Sequence, residues 1–204
     1  MFTENEVNAL LNYPGIFDEV ADLKQKFIDE EAEFLEIEEH DFLSLILLTP
    51  SIGIALSNGS VSLFEEMALN KKARKLSKGG YWMKTDPVVF AMEHLIKGYD
   101  KWAPVFYEHI KNLMHKTVDV SALHDNSFKL GEADDSQQCA QVLKAPFVII
   151  RFLTSFFMND EEEDILVERK ISKIEYDRVN EIAEQLGIKE LPVYQIYHSK
   201  LVIK

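Results

Sequence analysis

The chain has 204 residues, of which 47% are hydrophobic and 28% charged, and its formal net charge is −13. This composition can fill a core and excludes a disordered tail, and the negative charge argues against broad nucleic-acid binding, which needs a basic surface. Only 8 Gly and 6 Pro leave little turn chemistry for a many-stranded β-fold, so we expect an all-α protein.

The first forty residues predict two acidic helices. Thr3 and Glu6 have the spacing of a capping box, and the helix that they open should end at Pro14. A second, amphipathic helix should run into the low thirties, because apolar residues recur at helical spacing at Ile16, Val20, Leu23 and Phe27. Residues 1–40 carry 12 acidic and 2 basic side chains, a net charge of −10.

The middle of the chain predicts four helices. Residues 41–57 are nearly all apolar and should form a buried helix that Pro50 kinks or breaks. Ser62 and Glu65 form a second capping box, and the helix after them has a buried stripe. We expect the next two helices to begin at proline and to cover about 87–98 and 104–117.

The last third begins with a predicted linker, because residues 119–135 lack periodicity and are rich in Asp, Asn, Ser and Gly. A long helix over about 136–158 should bend at Pro146. Ser172 and Glu175 form a third capping box, whose helix should stop at Gly187. The segment after Pro192 reads as a helix or, from its β-branched residues, as a strand.

An internal repeat emerges when the chain is shifted by 110 positions, which aligns residues 41–77 with 151–187. The identical pairs include a capping box and a buried stripe: Phe42/Phe152, Leu43/Leu153, Leu56/Leu166, Ser62/Ser172, Glu65/Glu175, Asn70/Asn180, Ala73/Ala183 and Leu76/Leu186. We therefore expect two related helical units, about eight helices in all, packed into one globule. Chance similarity between amphipathic helices is the alternative. The predicted divisions are 1–118, the linker 119–135 and a shorter unit 136–204.

The stretch from Ala55 to Glu66, ALSNGSVSLFEE, resembles the signature of the TerB-like tellurite-resistance family, a buried helix followed by a D-G-x-I-S-x-x-E turn and a second helix. The resemblance covers residues 42–96 and, more faintly, 152–203. It implies a small helical, cytoplasmic, stress-related domain that acts through partners or metal. The turn's Asp is replaced by Asn58, and the second copy has Glu168-Arg169 in place of Asn58-Gly59.

We predict no metal site and no cofactor. The same turn resembles the end of a calcium-binding EF-hand loop, but Ile54 and Leu56 occupy its first two ligand positions and cannot bind calcium. His115 and Asp119 would share a helix face only if that helix continued so far. We expect the single cysteine, Cys139, to be a small core residue, which leaves no disulfide framework.

Two charged runs are the candidate interaction surface. A basic run with two aromatics could bind a phosphate, an anionic membrane surface or an acidic partner, or could complement a helix dipole or the chain's own acidic segment. An acidic run could attract a cation or be a solvated loop. The candidate residues are Lys71, Lys72, Arg74, Lys75, Lys78, Tyr81, Trp82, Asp160, Glu161, Glu162, Glu163 and Asp164.

These patterns favour a non-enzymatic, cytoplasmic protein-interaction or scaffold protein whose partner is another protein. The first alternative is an acidic inhibitor or immunity protein that binds a basic partner through the −10 segment. The second is an enzyme or carrier with a pocket or metal site in its helical core. No signal-peptide pattern is present, and the two most apolar stretches, 42–56 and 145–158, are shorter than the roughly 20 residues that span a bilayer.

Overall fold

The computed structural model describes residues 1–79, 86–124, 129–158 and 164–204, and it confirms the all-α class. Ten α-helices lie within these ranges: α1 Glu4–Leu11, α2 Ile16–Glu31, α3 Glu39–Ala55, α4 Leu63–Leu76, α5 Pro87–Lys97, α6 Tyr99–Thr117, α7 Asp135–Lys144, α8 Phe147–Phe157, α9 Lys173–Gln185 and α10 Pro192–Ser199. Two short strands, β1 Arg169–Ile171 and β2 Leu201–Ile203, pair in parallel. All three predicted capping boxes are formed.

Helix α3 is the centre of the molecule. Every residue from His40 to Gly53 is buried, and the helix packs against α1, α2, α4, α5, α6, α8 and α9. Burying apolar surface is the dominant favourable term in folding, so a helix that is apolar on all sides must be enclosed by others. The predicted break at Pro50 does not occur: the helix continues past the proline, because the surrounding helices stabilise it on both sides of that residue.

Two tyrosines of α6 fix the approach of that helix to α3. The hydroxyls of Tyr99 and Tyr107 lie 2.5 Å apart and are buried, and burial raises the pKa of Tyr99 to about 12. Both hydroxyls lie against the backbone at Gly53, where a Cβ atom would be 2.1 Å from the Tyr99 oxygen. Gly53 is therefore required by close approach rather than by its backbone conformation.

Several helix boundaries differ from the sequence predictions. Helix α6 begins at Tyr99 rather than at Pro104, since Tyr99 and Trp102 are buried and hold the extra turn. The predicted long helix is two helices, α7 and α8, bent by 109° around Pro146. The prediction for Cys139 was wrong: it is exposed, because α7 buries none of its residues.

Three consecutive α-helices in each half of the chain have similar character. In each half a buried helix leads to a capped amphipathic helix and then to a proline-started helix: α3, α4 and α5, then α8, α9 and α10. The segment after Pro192 was predicted to be a helix or a strand, and it contains both: a helix over Pro192–Ser199 and then β2. The predicted linker residues 120–123 and 130–132 form short 3₁₀ turns, and Asp135 already begins α7.

The N-terminal residues join the two halves. Phe2 is buried with its ring edge-to-face on Phe152 of α8, at a centroid distance of 4.9 Å. Glu6, which closes the first capping box, also receives two hydrogen bonds of 2.8 Å from Arg151. Burial alone would raise the pKa of Glu6, and the hydrogen bonds from Arg151 and Thr3 outweigh it and lower the pKa.

One continuous helical stretch among the described residues, 39–58, is long and apolar enough to cross a membrane, and 83% of its most apolar window is buried inside the protein. Helices α7 and α8 pass the same test only as a pair joined across their bend.

Replacement of Gly53 by alanine should destabilise the protein by about 1–3 kcal/mol, because the added methyl group overlaps the two buried hydroxyls. Urea denaturation followed by circular dichroism measures this. Gly131→Ala is the control, since no atom lies within 4 Å of its added Cβ, and it should change stability by less than about 0.5 kcal/mol. Adding Tyr99→Phe to Gly53→Ala should recover part of the loss. A Gly53→Ala protein as stable as wild type would contradict this packing.

Candidate docking groove

A groove opens where the C-terminal ends of α3 and α8 meet the first turns of α4 and α9. It consists of two cavities, of about 280 and 350 Å³, which share Ile54, Phe157 and Glu175. We call it the junction groove and define it by six of its lining residues: Ser51, Ile54, Leu69, Lys72, Phe157 and Glu175. Strand β1 lines the second cavity. The groove therefore lies between the two halves of the chain.

The floor of the junction groove contains a buried cation. The Lys72 side chain, only 5% exposed, donates hydrogen bonds to the Ser51 hydroxyl at 2.9 Å and to the Ser155 carbonyl at 3.2 Å. The Ser51 hydroxyl also lies 3.1 Å from the carbonyl oxygens of Ser155 and Phe156. These carbonyls belong to the last turn of α8, where unpaired oxygens and the helix dipole favour a positive charge. Lys72 thus joins α3, α4 and α8.

The sequence contained a signal for this burial. Lys72 is three residues after Leu69 and four before Leu76, so it belongs to the same helical stripe as those two buried residues. Sequence reasoning had instead grouped it with its basic neighbours on one surface. That prediction was wrong for Lys72, since a charged residue can take a stripe position where helix-end carbonyls satisfy it.

The other predicted surface residues do not form one patch with it. Lys71, Arg74, Lys75 and Lys78 are exposed. The Lys78 ammonium forms an ion pair of 2.9 Å with Glu38, so part of the basic run docks on the chain's own acidic segment, as one of the alternatives predicted. Asp164 is exposed and its carboxylate accepts a hydrogen bond from the Leu166 amide. Tyr81, Trp82, Asp160, Glu161, Glu162 and Glu163 lie outside the described residues.

Large apolar side chains are exposed on the first turns of α4 and α9, which border the junction groove through Phe64, Glu65 and Glu175; we call these turns its rim. In the first turns of α4, Leu63 is 69%, Phe64 83% and Met67 62% exposed, and Phe64 lines the first cavity. Ile174, at the position of α9 that aligns with Phe64 in the repeat, is 52% exposed. Sequence reasoning missed these residues, because it took the helix after the second capping box as a fold element and did not consider its outer face.

The two capping boxes hold this rim in place. The Ser62 amide donates to the Glu65 carboxylate at 2.7 Å, and the Ser172 amide donates to the Glu175 carboxylate at the same distance. Both glutamates line the groove, and each carboxylate is already an acceptor for the start of its own helix. The positions of Phe64 and Ile174 therefore follow from fixed helix starts.

A second buried polar cluster surrounds His40. Its two ring nitrogens lie 3.1 Å from the Asp41 carboxylate and from the Glu4 carbonyl oxygen. Burial alone would lower the His40 pKa, but these two acceptors outweigh it and raise the pKa, since both nitrogens can donate only in the charged form. The nearby Ser44 hydroxyl lies at hydrogen-bond distance from the carbonyl oxygens of His40 and Leu76. These hydrogen-bond contacts connect α1, α3 and the end of α4.

The described ranges contain no group of three His, Cys, Asp or Glu side chains that could hold a metal ion. His115 and Asp119 do not share a helix face, because α6 ends at Thr117 and Asp119 instead caps the following 3₁₀ turn.

Comparison of the chain with known protein families, with curated proteins and with solved structures gave no match.

Replacement of Lys72 by methionine should cost about 1–3 kcal/mol of stability, since the carbonyls at the end of α8 lose a charged donor in a buried setting. Arg74→Met, at an exposed position of the same helix, is the matched control and should stay within about 0.5 kcal/mol of wild type. Chemical denaturation of the three proteins provides the comparison. Equal stability of the Lys72→Met and Arg74→Met proteins would show that Lys72 does not join the helices.

Proposed function

We propose that this protein is a non-enzymatic interaction module that binds an apolar segment of another protein in the junction groove. The observation that carries the proposal is the row of exposed apolar side chains, Leu63, Phe64 and Met67, beside a cavity of about 280 Å³. Exposed apolar side chains at the rim of a concave site are typical of protein-binding surfaces.

The shape of the groove supports a peptide-like ligand. Apolar walls from Ile54, Leu69 and Phe157 can receive side chains, while the buried Lys72 and the two capping glutamates add a few fixed polar groups. A groove of this kind can accept the anchor residues of a partner helix or extended segment. If the protein were instead an enzyme or carrier that used this cavity, the cavity would hold a small molecule, so the kind of ligand found there separates the two hypotheses.

The TerB-like resemblance enters the proposal as a guide to the biological setting. In the turn that carries it, Gly59 has a φ of 85°, and Ser62 and Glu65 close the capping box that starts α4. On this basis we propose a cytoplasmic, stress-related role. The rim residues Leu63 and Phe64 lie within the segment that resembles the family.

The alternative of an acidic inhibitor is supported by one face of α2. Asp18, Asp22 and Asp29 are exposed there. Other carboxylates of residues 1–40 form ion pairs within the chain. Their cationic partners are Lys24, Lys78, Lys101, Lys116 and Arg151. A basic partner on this face would bind with a steep dependence on salt, whereas binding in the apolar groove would depend on salt only weakly.

The groove proposal predicts that peptides selected from a random library on the wild-type protein lose at least tenfold in affinity on a Phe64→Asp, Met67→Asp double variant. Charged groups at the rim remove apolar contact and add a desolvation cost. Isothermal titration calorimetry measures the affinities, and thermal unfolding should show little change because both side chains are exposed.

The matched control is Phe34→Asp, since Phe34 is 90% exposed in the segment between α2 and α3, away from the groove, and its replacement should leave peptide affinity unchanged. Selected peptides that bind the double variant as tightly as the wild type would contradict the proposal. Affinity that disappears in 0.5 M salt for every selected peptide would favour the α2 face instead.

A further inference from the structure

The small parallel sheet has an unpaired edge on β2. Arg169 is paired with Leu201, Lys170 with Val202 and Ile171 with Ile203. The Arg169 amide donates to the Lys200 carbonyl, and the Lys204 amide donates to the Ile171 carbonyl. Because alternate residues of a strand point their backbone groups to opposite sides, the amide and carbonyl groups of Leu201 and Ile203 point away from β1.

These four outward groups have no backbone hydrogen-bond partner within the ranges that the structure describes. A backbone amide or carbonyl that lacks an internal partner must meet water or another chain. An edge strand of this kind is a template for the addition of one more strand. The outward groups of Leu201 and Ile203 are two residues apart, which is the spacing at which one strand forms backbone hydrogen bonds with a neighbouring strand.

The side chains around this edge define what could pair with it. Lys170 and Lys204 lie on the same face of the sheet as Val202, and both are exposed. Ile203 is 44% exposed on the other face, beside the buried Leu201. Residues 169–173 and 200–204 contain five cationic side chains and no acidic side chain, in a chain whose net charge is −13. Two of the five, Lys173 and Lys200, pair with Asp177 and Asp135.

We propose that the open edge of β2 binds an extended acidic peptide, which adds to the sheet as a third strand. Its acidic side chains would face Lys170 and Lys204, and its apolar side chains would pack beside Leu201 and Ile203 on the opposite face. A second copy of this chain is a poor occupant. Antiparallel pairing of two β2 strands about Val202 would place Lys200 opposite Lys204, and like charges in that arrangement are destabilising. Lys170 and Leu201 also line the second cavity of the junction groove, but the exposed apolar side chains of its rim belong to α4 and α9, and the proposal does not rest on them.

The probe is a fluorescein-labelled, end-capped octapeptide of alternating glutamate and valine, titrated with the full chain in a fluorescence polarisation assay. Saturable binding is expected for this peptide, with at least tenfold weaker binding for the matched lysine–valine octapeptide. Hydrogen exchange should show that the acidic peptide protects the amides of Leu201 and Ile203, whereas the amide of exposed Cys139 in α7 should not change.

A proline at position 203 tests the edge directly. Ile203→Pro removes one outward amide but leaves the Val202 and Lys204 amides that face β1, and edge strands tolerate proline in this orientation. It should weaken binding of the acidic octapeptide at least tenfold, while Ile203→Thr, which keeps the amide, should change it less than threefold. Lys170→Glu with Lys204→Glu should weaken it at least tenfold as well.

Circular dichroism and thermal unfolding confirm that each variant is folded before it is compared. The proposal is overturned if the acidic octapeptide does not bind the wild-type chain, or if it binds Ile203→Pro as tightly as Ile203→Thr. It is also overturned if sedimentation shows dimers that Ile203→Pro dissociates, because a second copy would then be the occupant. Loss of groove binding in the Phe64→Asp, Met67→Asp variant would leave all of these outcomes unchanged.

Discussion

The burial of α3 from His40 to Gly53 is the constraint on which the rest of the structure depends. From His40 to Gly53 every side chain is enclosed, so this helix must be surrounded on all sides by other helices. Seven helices supply that enclosure, and they come from both halves of the chain. The N-terminal helices, the capped helices and α8 are therefore assembled around one element rather than around two separate cores.

The candidate site is a consequence of that assembly. Where α3 ends, α8 ends beside it, and the unpaired carbonyls of α8 need a partner that an apolar neighbour cannot supply. Lys72 and Ser51 supply it, which keeps α4 and α8 together but leaves the space above them unfilled. The first turns of α4 and α9 border this space and expose Phe64 and Ile174. The groove is thus formed by helix ends, where side chains cannot interdigitate as they do along helix faces.

Most of the fold could be predicted from the sequence, because its signals are local. The three capping boxes, the apolar segment of α3 and the proline starts of α5 and α10 are patterns within a few residues, and each is present in the structure. The failures concern tertiary contacts. Pro50 does not break α3, which was one of its two predicted effects; α6 begins a turn early and Cys139 is exposed, since in each case the packing of other elements outweighs local preference.

The candidate site was harder to predict for the same reason. Lys72 has the helical spacing of a core residue but a charged side chain typical of the surface. It is buried because carbonyl groups at the end of α8 accept its hydrogen bonds, and the sequence near Lys72 does not show that α8 ends there. The open edge of β2 depends on a strand 32 positions earlier in the chain, so no local pattern shows that Leu201 and Ile203 have outward backbone groups. Such sites require knowledge of which elements meet.

Native-state hydrogen exchange resolved to single amides tests the central role of α3 most directly. If α3 is the element that both halves of the chain enclose, its amides from Leu43 to Leu48 should exchange only through global unfolding, and more slowly than those of α7, which buries none of its residues. Exchange of the α3 amides through a local opening, at a free energy below that of global unfolding, would contradict the account.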